Sequence, residues 1–156
     1  MKNKTIDFEK ISTYQTPNES PGYLLWRVST QWRSSIEKTL ESLNLTHPQF
    51  VILAVTAWHT RNNEKASQID ISNRSSLDPN TTSQILRTLE SKKLIKRLRS
   101  INERSKNPIL TTLGSDILKK ALPAVEQTDK LFFDSLSMNE SKELITIFKK
   151  LLSIKE

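Results

Sequence analysis

Between Lys92 and Lys106 the chain places seven basic side chains (Lys92, Lys93, Lys96, Arg97, Arg99, Arg104 and Lys106) against one acid, Glu103. Charge of one sign at that density attracts polyanions, phosphate diesters above all. Just before this run, Thr82, Ile85, Leu86 and Leu89 recur at i, i+3, i+4 and i+7, the spacing of one buried helix stripe. Such a stripe turns Asn80, Gln84, Arg87 and Ser91 directly away from the core, with Thr81, Ser83 and Thr88 on the flanks. Amides, hydroxyls and a guanidinium, with no carboxylate before Glu90, are the groups that hydrogen-bond base edges and phosphates in a major groove. An ordinary solvent face would mix Glu and Lys for pairing one turn apart.

The excess charge is local. Of a formal net charge of +7 over 156 residues, residues 1–60 contribute six basic groups against five acidic, and residues 107–156 seven against seven. Residues 61–106 hold eleven against five. Other chemistries are poorly supplied. There is no Cys, which removes disulfides, thiolate nucleophiles, thiol redox triggers and cysteine-held zinc. With Gly22 and Gly114 as its only glycines, the chain can write neither a P-loop nor a dinucleotide fingerprint. His47 and His59 lack partners at metal-ligand spacing, and His59 is explained by a helix C-terminus. No catalytic residue, metal or cofactor is assigned, and an enzyme is not expected. The longest apolar run, Phe50 to Val55, is far shorter than the roughly 20 residues that span a bilayer. The polar N-terminus has no signal-peptide core, so a cytoplasmic protein without membrane contact is expected.

The elements that must position these groups can be read in order. Residues 1–20 are polar and read as a flexible N-terminal arm, in which Ile6, Phe8, Ile11 and Tyr14 could dock on a partner. A long helix follows Pro21-Gly22, with Leu25, Val28, Trp32, Ile36, Leu40 and Leu43 on one stripe. Thr46 and Gln49 form a capping box for a second helix that runs to about Thr60. Ala66 to Arg74 is a short helix, Ser75-Ser76-Leu77 a tight turn, and Asp78 with Pro79 starts the next helix. Two short helices so joined make a helix-turn-helix. Ile95 to Arg99 reads as an edge strand, Asn102 to Pro108 as a turn, and Ile109 to Thr112 as the return strand, with Gly114 at the exit. A helix then extends to Leu136, kinked at Pro123, and a last one covers Glu140 to about Ile154.

The fold class predicted is mainly α with a small β-wing: a winged helix-turn-helix. One domain over 21–154 comprises a reading lobe (45–112) and dimerisation helices (21–44 and 113–154).

Three stretches carry a family resemblance over roughly Pro21 to Leu152. Leu45-Thr46-His47-Pro48-Gln49-Phe50 is similar to the Leu-Thr-x-x-Gln-Phe start of the second helix in the MarR family of transcriptional regulators. Leu77 to Thr82, with Leu89 to Arg97, resembles that family's recognition helix and its exit into the wing. Asn102-Glu103-Arg104, then Leu110-Thr111-Thr112-Leu113-Gly114, resembles its wing signature Asp-x-Arg followed by Leu-Thr-x-x-Gly. The chain departs at two positions. Asn102 stands where the family has Asp, so Arg104 is oriented by a neutral group. Lys93 stands where the family has Gly, which argues against a left-handed residue at that helix end.

The resemblance implies an obligate homodimer whose two lobes read a pseudo-palindromic double-stranded operator. The helix from Asp78 would enter the major groove, with Asn80, Thr81, Ser83 and Gln84 at base edges. Arg87, Arg97, Arg99 and Lys106 would hold phosphates, and Arg104 at the wing tip would enter the minor groove. Many relatives are released from DNA by a small, often aromatic ligand, and Tyr23, Trp26 and Trp58 could line such a site. The expected function is a sequence-specific dimeric repressor relieved by a small-molecule effector. The alternative is a protein-interaction module on a winged-helix fold, with an incidental basic wing. One substitution tests the wing assignment: Arg104→Ala should weaken operator binding in a competition titration while dimerisation and thermal stability stay unchanged. Unaltered affinity would remove Arg104 from the interface.

Overall fold

The computed structural model describes residues 6–62, 64–99 and 106–154. The chain divides into two compact units, Met1–Ser34 and Ser35–Glu156, and the division falls inside a helix.

In the first unit, α1 (Phe8–Ile11) and a 3-10 turn (Pro17–Glu19) precede α2 (Pro21–Glu41). The stretch read as an arm therefore carries local structure. The Glu19 carboxylate accepts the Gln15 N–H at 3.0 Å, and Ser20 Oγ accepts the Tyr23 N–H at 3.3 Å. Pro21 opens α2 at a position where no N–H is needed.

The second unit adds α3 (His47–Thr60), α4 (Gln68–Ser75), α5 (Pro79–Ser91), β1 (Ile95–Arg99), β2 (Lys106–Leu110), α6 (Thr112–Phe132) and α7 (Met138–Leu151). Side chains close the amino ends of all five of these helices. Thr46 and Gln49 form the expected capping box on α3. Ser67 with Asp70 and Ser137 with Glu140 form two more, on α4 and α7, which begin later and earlier respectively than the sequence reading placed them. Asp78 caps α5 and Thr111 caps α6.

The carboxyl ends of α2, α5 and α7 follow one pattern. Asn44, Lys93 and Ser153 take φ of 53°, 60° and 53°, and the next N–H in each case (Leu45, Leu94, Ile154) bonds back to Leu40, Leu89 or Lys149. These are Schellman closures built without glycine. Lys93 therefore overturns the expectation drawn from its side chain: the left-handed residue is present.

The core of this unit gathers Ile36 and Leu40 of α2, Ile52 and Leu53 of α3, Ile71 of α4, Leu86 and Leu89 of α5, Ile95 of β1, and Ala121 and Val125 of α6. Thr39 of α2 and Thr128 of α6 meet through their hydroxyls at 2.7 Å. Each hydroxyl also lies 3.0 Å from a carbonyl of its own helix, Ser35 and Ala124. No residue of α7 is buried, and among the described residues no helix is long and apolar enough to cross a membrane.

The hairpin pairs Ile95 with Leu110 through Arg99 with Lys106, antiparallel, so Pro108 sits inside β2 opposite Arg97. The predicted turn at 102–108 and strand at 109–112 are thus displaced. A two-stranded ribbon leaves each strand one free edge, where a residue without an N–H is tolerated. Thr111 and Thr112 leave the strand because Thr111 Oγ1 caps α6, accepting the Gly114 N–H at 3.0 Å. The α6 assignment runs through Pro123, which leaves the Lys119 carbonyl without its usual i+4 donor, and stops at Phe132 rather than Leu136.

Gly114 marks more than an exit. A Cβ built there would lie 1.9 Å from the Leu94 carbonyl oxygen, a main-chain atom that cannot swing aside. Gly114→Ala should therefore cost about 3 kcal/mol by urea unfolding. Gly22→Ala, with nothing within 4 Å of the new Cβ, should be neutral or stabilising. Equal midpoints for the two variants would show that α6 does not approach Leu94.

Candidate nucleic-acid interface

Helix α5 is fixed from both ends and from one side. At its start, Asp78 Oδ1 accepts the N–H groups of Asn80 and Thr81 at 3.0 and 2.9 Å. Bonding from Thr81, first its side chain and then its backbone, holds the Asp78 carboxyl below its ordinary value. Ser67 does the same to Asp70, and Ser137 to Glu140, again through the hydroxyl first. For each carboxyl the folded value lies below the unfolded one. Its contribution is therefore complete above the ordinary value and is lost as pH falls through the lowered one.

The turn before α5 is tied by the buried Ser72, whose hydroxyl donates to the Leu77 carbonyl at 2.6 Å, and by Ser76 at φ 55°. On its inner side, Thr82, Leu86 and Leu89 are buried and Ile85 is half-buried, as the stripe requires.

The outer side offers Asn80, Gln84 and Arg87 to solvent, with Thr81 and Ser83 half-buried at its edges. The amides of Asn80 and Gln84 have no hydrogen-bond partner among the described residues, so their donors and acceptors are available. Thr88 and Ser91 use their hydroxyl protons on the carbonyls of Gln84 and Thr88, at 3.1 and 2.8 Å. Arg87 donates to Ser83 Oγ at 3.3 Å and is otherwise extended into solvent.

The basic cluster divides. Lys93 and Lys96 are exposed. Arg97 is not: its side chain is only 13% exposed and its Nε lies 3.3 Å from the Glu90 carboxylate of α5. Nε and Nη2 are buried without a well-aligned acceptor, so the contact is an ion pair rather than a directed hydrogen bond. In that position Arg97 ties β1 to α5. Lys92 is also turned inward, its Nζ donating to the Asn44 carbonyl and to Gln49 Oε1. Charge counting along the sequence could not separate these two from the rest, because their acceptors are set by tertiary placement. Arg104 lies outside the described residues, as do the side chains of Arg99 and Lys106.

The three aromatic residues read as ligand contacts fall in different units. In the first, Trp26 is exposed, and Tyr23 lines a cavity of about 480 Å³ together with Phe8, Tyr14 and Pro17. The Arg27 guanidinium stands 5.9 Å from the Tyr23 ring centroid. In the second, Trp58 is 54% exposed and carries the Arg61 guanidinium 3.9 Å above its ring, a cation–π pair.

This arrangement has known counterparts. The sequence pattern described as the MarR family matches residues 45–106. An uncharacterized HTH-type transcriptional regulator of Bacillus subtilis, YdcH, is 34% identical over 138 residues, covering 83% of this chain and 89% of that protein. The HTH-type transcriptional repressor Rv2887 of Mycobacterium tuberculosis is 28% identical over 131 residues, 83% of this chain and 91% of its own. Its structure in complex with p-aminosalicylic acid superposes with a TM-score of 0.66, over 85% of this chain and 98% of that one. The Staphylococcus aureus MepR–DNA complex gives a TM-score of 0.77 at 25% identity, over 88% of this chain and 98% of that one.

The junction of α5 with the wing yields a stability test. Lys93 holds a left-handed conformation that costs an L-residue with a Cβ about 1 kcal/mol. Lys93→Gly should recover about that amount in urea unfolding, whereas Lys93→Ala should not. A destabilised glycine variant would mean that the Lys93 side chain makes a compensating contact.

Proposed function

The chain belongs to the MarR family of transcriptional regulators, and on that premise we propose that it is a dimeric repressor which reads a pseudo-palindromic duplex and is released by a small aromatic ligand. The observation that carries the proposal is the outward face of α5. Its unpartnered amides and single guanidinium stand on a helix capped at one end and closed by a Schellman turn at the other. Base-edge hydrogen bonds need such fixed, available donors and acceptors.

In this reading Asn80, Thr81, Ser83 and Gln84 meet bases. Arg87 holds a phosphate, joined by Arg99 and Lys106 from the wing strands, with Arg104 in the minor groove. Arg97 contributes by supporting the wing. The second copy is called for by surface that one copy leaves in water. Ile145, Ile147, Phe148, Leu151 and Leu152 along α7, with Leu131 of α6, are all exposed. Burying such a stripe against its twin is worth roughly 25 cal/mol per Å² of apolar surface. The effector is proposed because a relative was solved with p-aminosalicylic acid, and because Tyr23, Trp26 and Trp58 present aromatic surface. A regulator of this kind works in the cytoplasm.

A titration of the protein against duplex from its own upstream region, with excess random duplex as competitor, tests the proposal. Specific binding should survive the competitor near 150 mM salt and fall by on the order of a thousandfold from roughly 50 to 200 mM, as expected when several phosphates are neutralised. Binding abolished by the competitor would leave only general phosphate attraction. No binding at low salt would favour a protein partner instead.

A further inference from the structure

By sequence Lys92 belongs to the basic run; by geometry it does not. Its Nζ donates to the main-chain carbonyl of Asn44 at 2.6 Å and to Gln49 Oε1 at 2.9 Å. The three residues come from three separate places. Asn44 is the left-handed residue that closes α2, Gln49 lies in the first turn of α3, and Lys92 is the C-cap of α5. Gln49 Oε1 also accepts the Thr46 N–H at 3.4 Å, so one amide oxygen completes a capping box and receives a cation. The Asn44 carbonyl stands at the carboxyl end of a helix, where the aligned peptide dipoles favour positive charge. An ammonium with two of its three donors so engaged is not extended toward a phosphate.

We infer that Lys92 is a positioning residue for the reading helix. It pins the carboxyl end of α5 to the α2–α3 junction as Asp78 pins the amino end, and so sets the angle at which Asn80, Gln84 and Arg87 meet a duplex. The inference rests on the DNA-reading function proposed above. Its consequence is specific. Base-edge hydrogen bonds weaken steeply when misaligned, whereas attraction to a line of phosphates tolerates small rotations. Loss of the pin therefore reduces discrimination, not general affinity.

The test uses the full chain with Lys92→Met, Gln49→Ala and the double variant. Each is titrated over a salt series against the duplex recovered in the upstream-region titration and against random duplex, and each is unfolded in urea. Gln49→Ala, which removes one charge-assisted hydrogen bond, should lower the specific-to-random affinity ratio by about tenfold, and Lys92→Met, which removes two, by at least as much. Random-duplex affinity and the salt slope should not change, and the double variant should lose no more than Lys92→Met alone, which already removes both contacts. A phosphate contact would instead weaken both duplexes equally and make the salt slope shallower by about one, which would overturn the inference. Independent, additive losses at Gln49 and Lys92 would overturn it too. A parent protein that treats both duplexes alike would sink the reading function and the positioning role with it. Non-additive urea unfolding of the two variants would then still report the tether itself.

Discussion

The reading lobe is organised around a single main-chain oxygen. The Leu94 carbonyl accepts the Thr111 N–H at 3.0 Å, the Thr111 hydroxyl donates to the neighbouring Lys93 carbonyl at 2.6 Å, and Gly114 passes directly over the Leu94 oxygen. Leu94 ends the Schellman closure of α5 and leads into β1; Thr111 follows β2 and caps α6. Four elements are thus held to within a hydrogen bond of one another at a point where no side chain can adjust the spacing. Close packing transmits such a constraint outward. The tilt of the wing and the entry of α6 follow from it, and a glycine is required there because of the oxygen above it, not because of its backbone angles.

Around that point the chain closes its helices with polar side chains and tolerates strain. Every helix from α3 to α7 has a side-chain cap, while among the described residues the four with positive φ (Asn44, Ser76, Lys93 and Ser153) are all non-glycine. Caps typically contribute about 1 kcal/mol each, and left-handed residues cost a similar amount. The two sets oppose each other, and the difference falls to the core packed between α2, α3, α5 and α6. The reading helix draws on both, with Asp78 favourable at its start and Lys93 strained just past its end.

Much of this was legible in the residues. The stripe Thr82, Leu86, Leu89 located the outward face of α5, and the Thr46–Gln49 and Asp78–Pro79 pairs located two helix starts, because caps act within a turn of chain. The errors have the same physical origin in reverse. Pro108 reads as a turn residue, yet the free edge of a two-stranded ribbon accepts it. Thr111 reads as strand until its hydroxyl is seen to cap α6. Ser137 reads as a break, although it opens α7 with Glu140. Lys92 and Arg97 read alike as members of one basic run because nothing nearby in sequence opposes them. Lys92 finds acceptors at Asn44 and Gln49, more than forty positions away. For Arg97 it is Glu90, on the preceding helix.

The hydroxyl contact between α2 and α6 has a property of another kind. Thr39 and Thr128 are placed for three hydrogen bonds, one to each other and one each to Ser35 and Ala124, but two hydroxyls hold only two protons. At any moment one hydroxyl donates across the interface and the other donates back into its own helix. The two arrangements interconvert by rotating two C–O bonds, with no heavy atom displaced. The interface is thereby polar without being polarised. Either helix can supply the proton that crosses the contact.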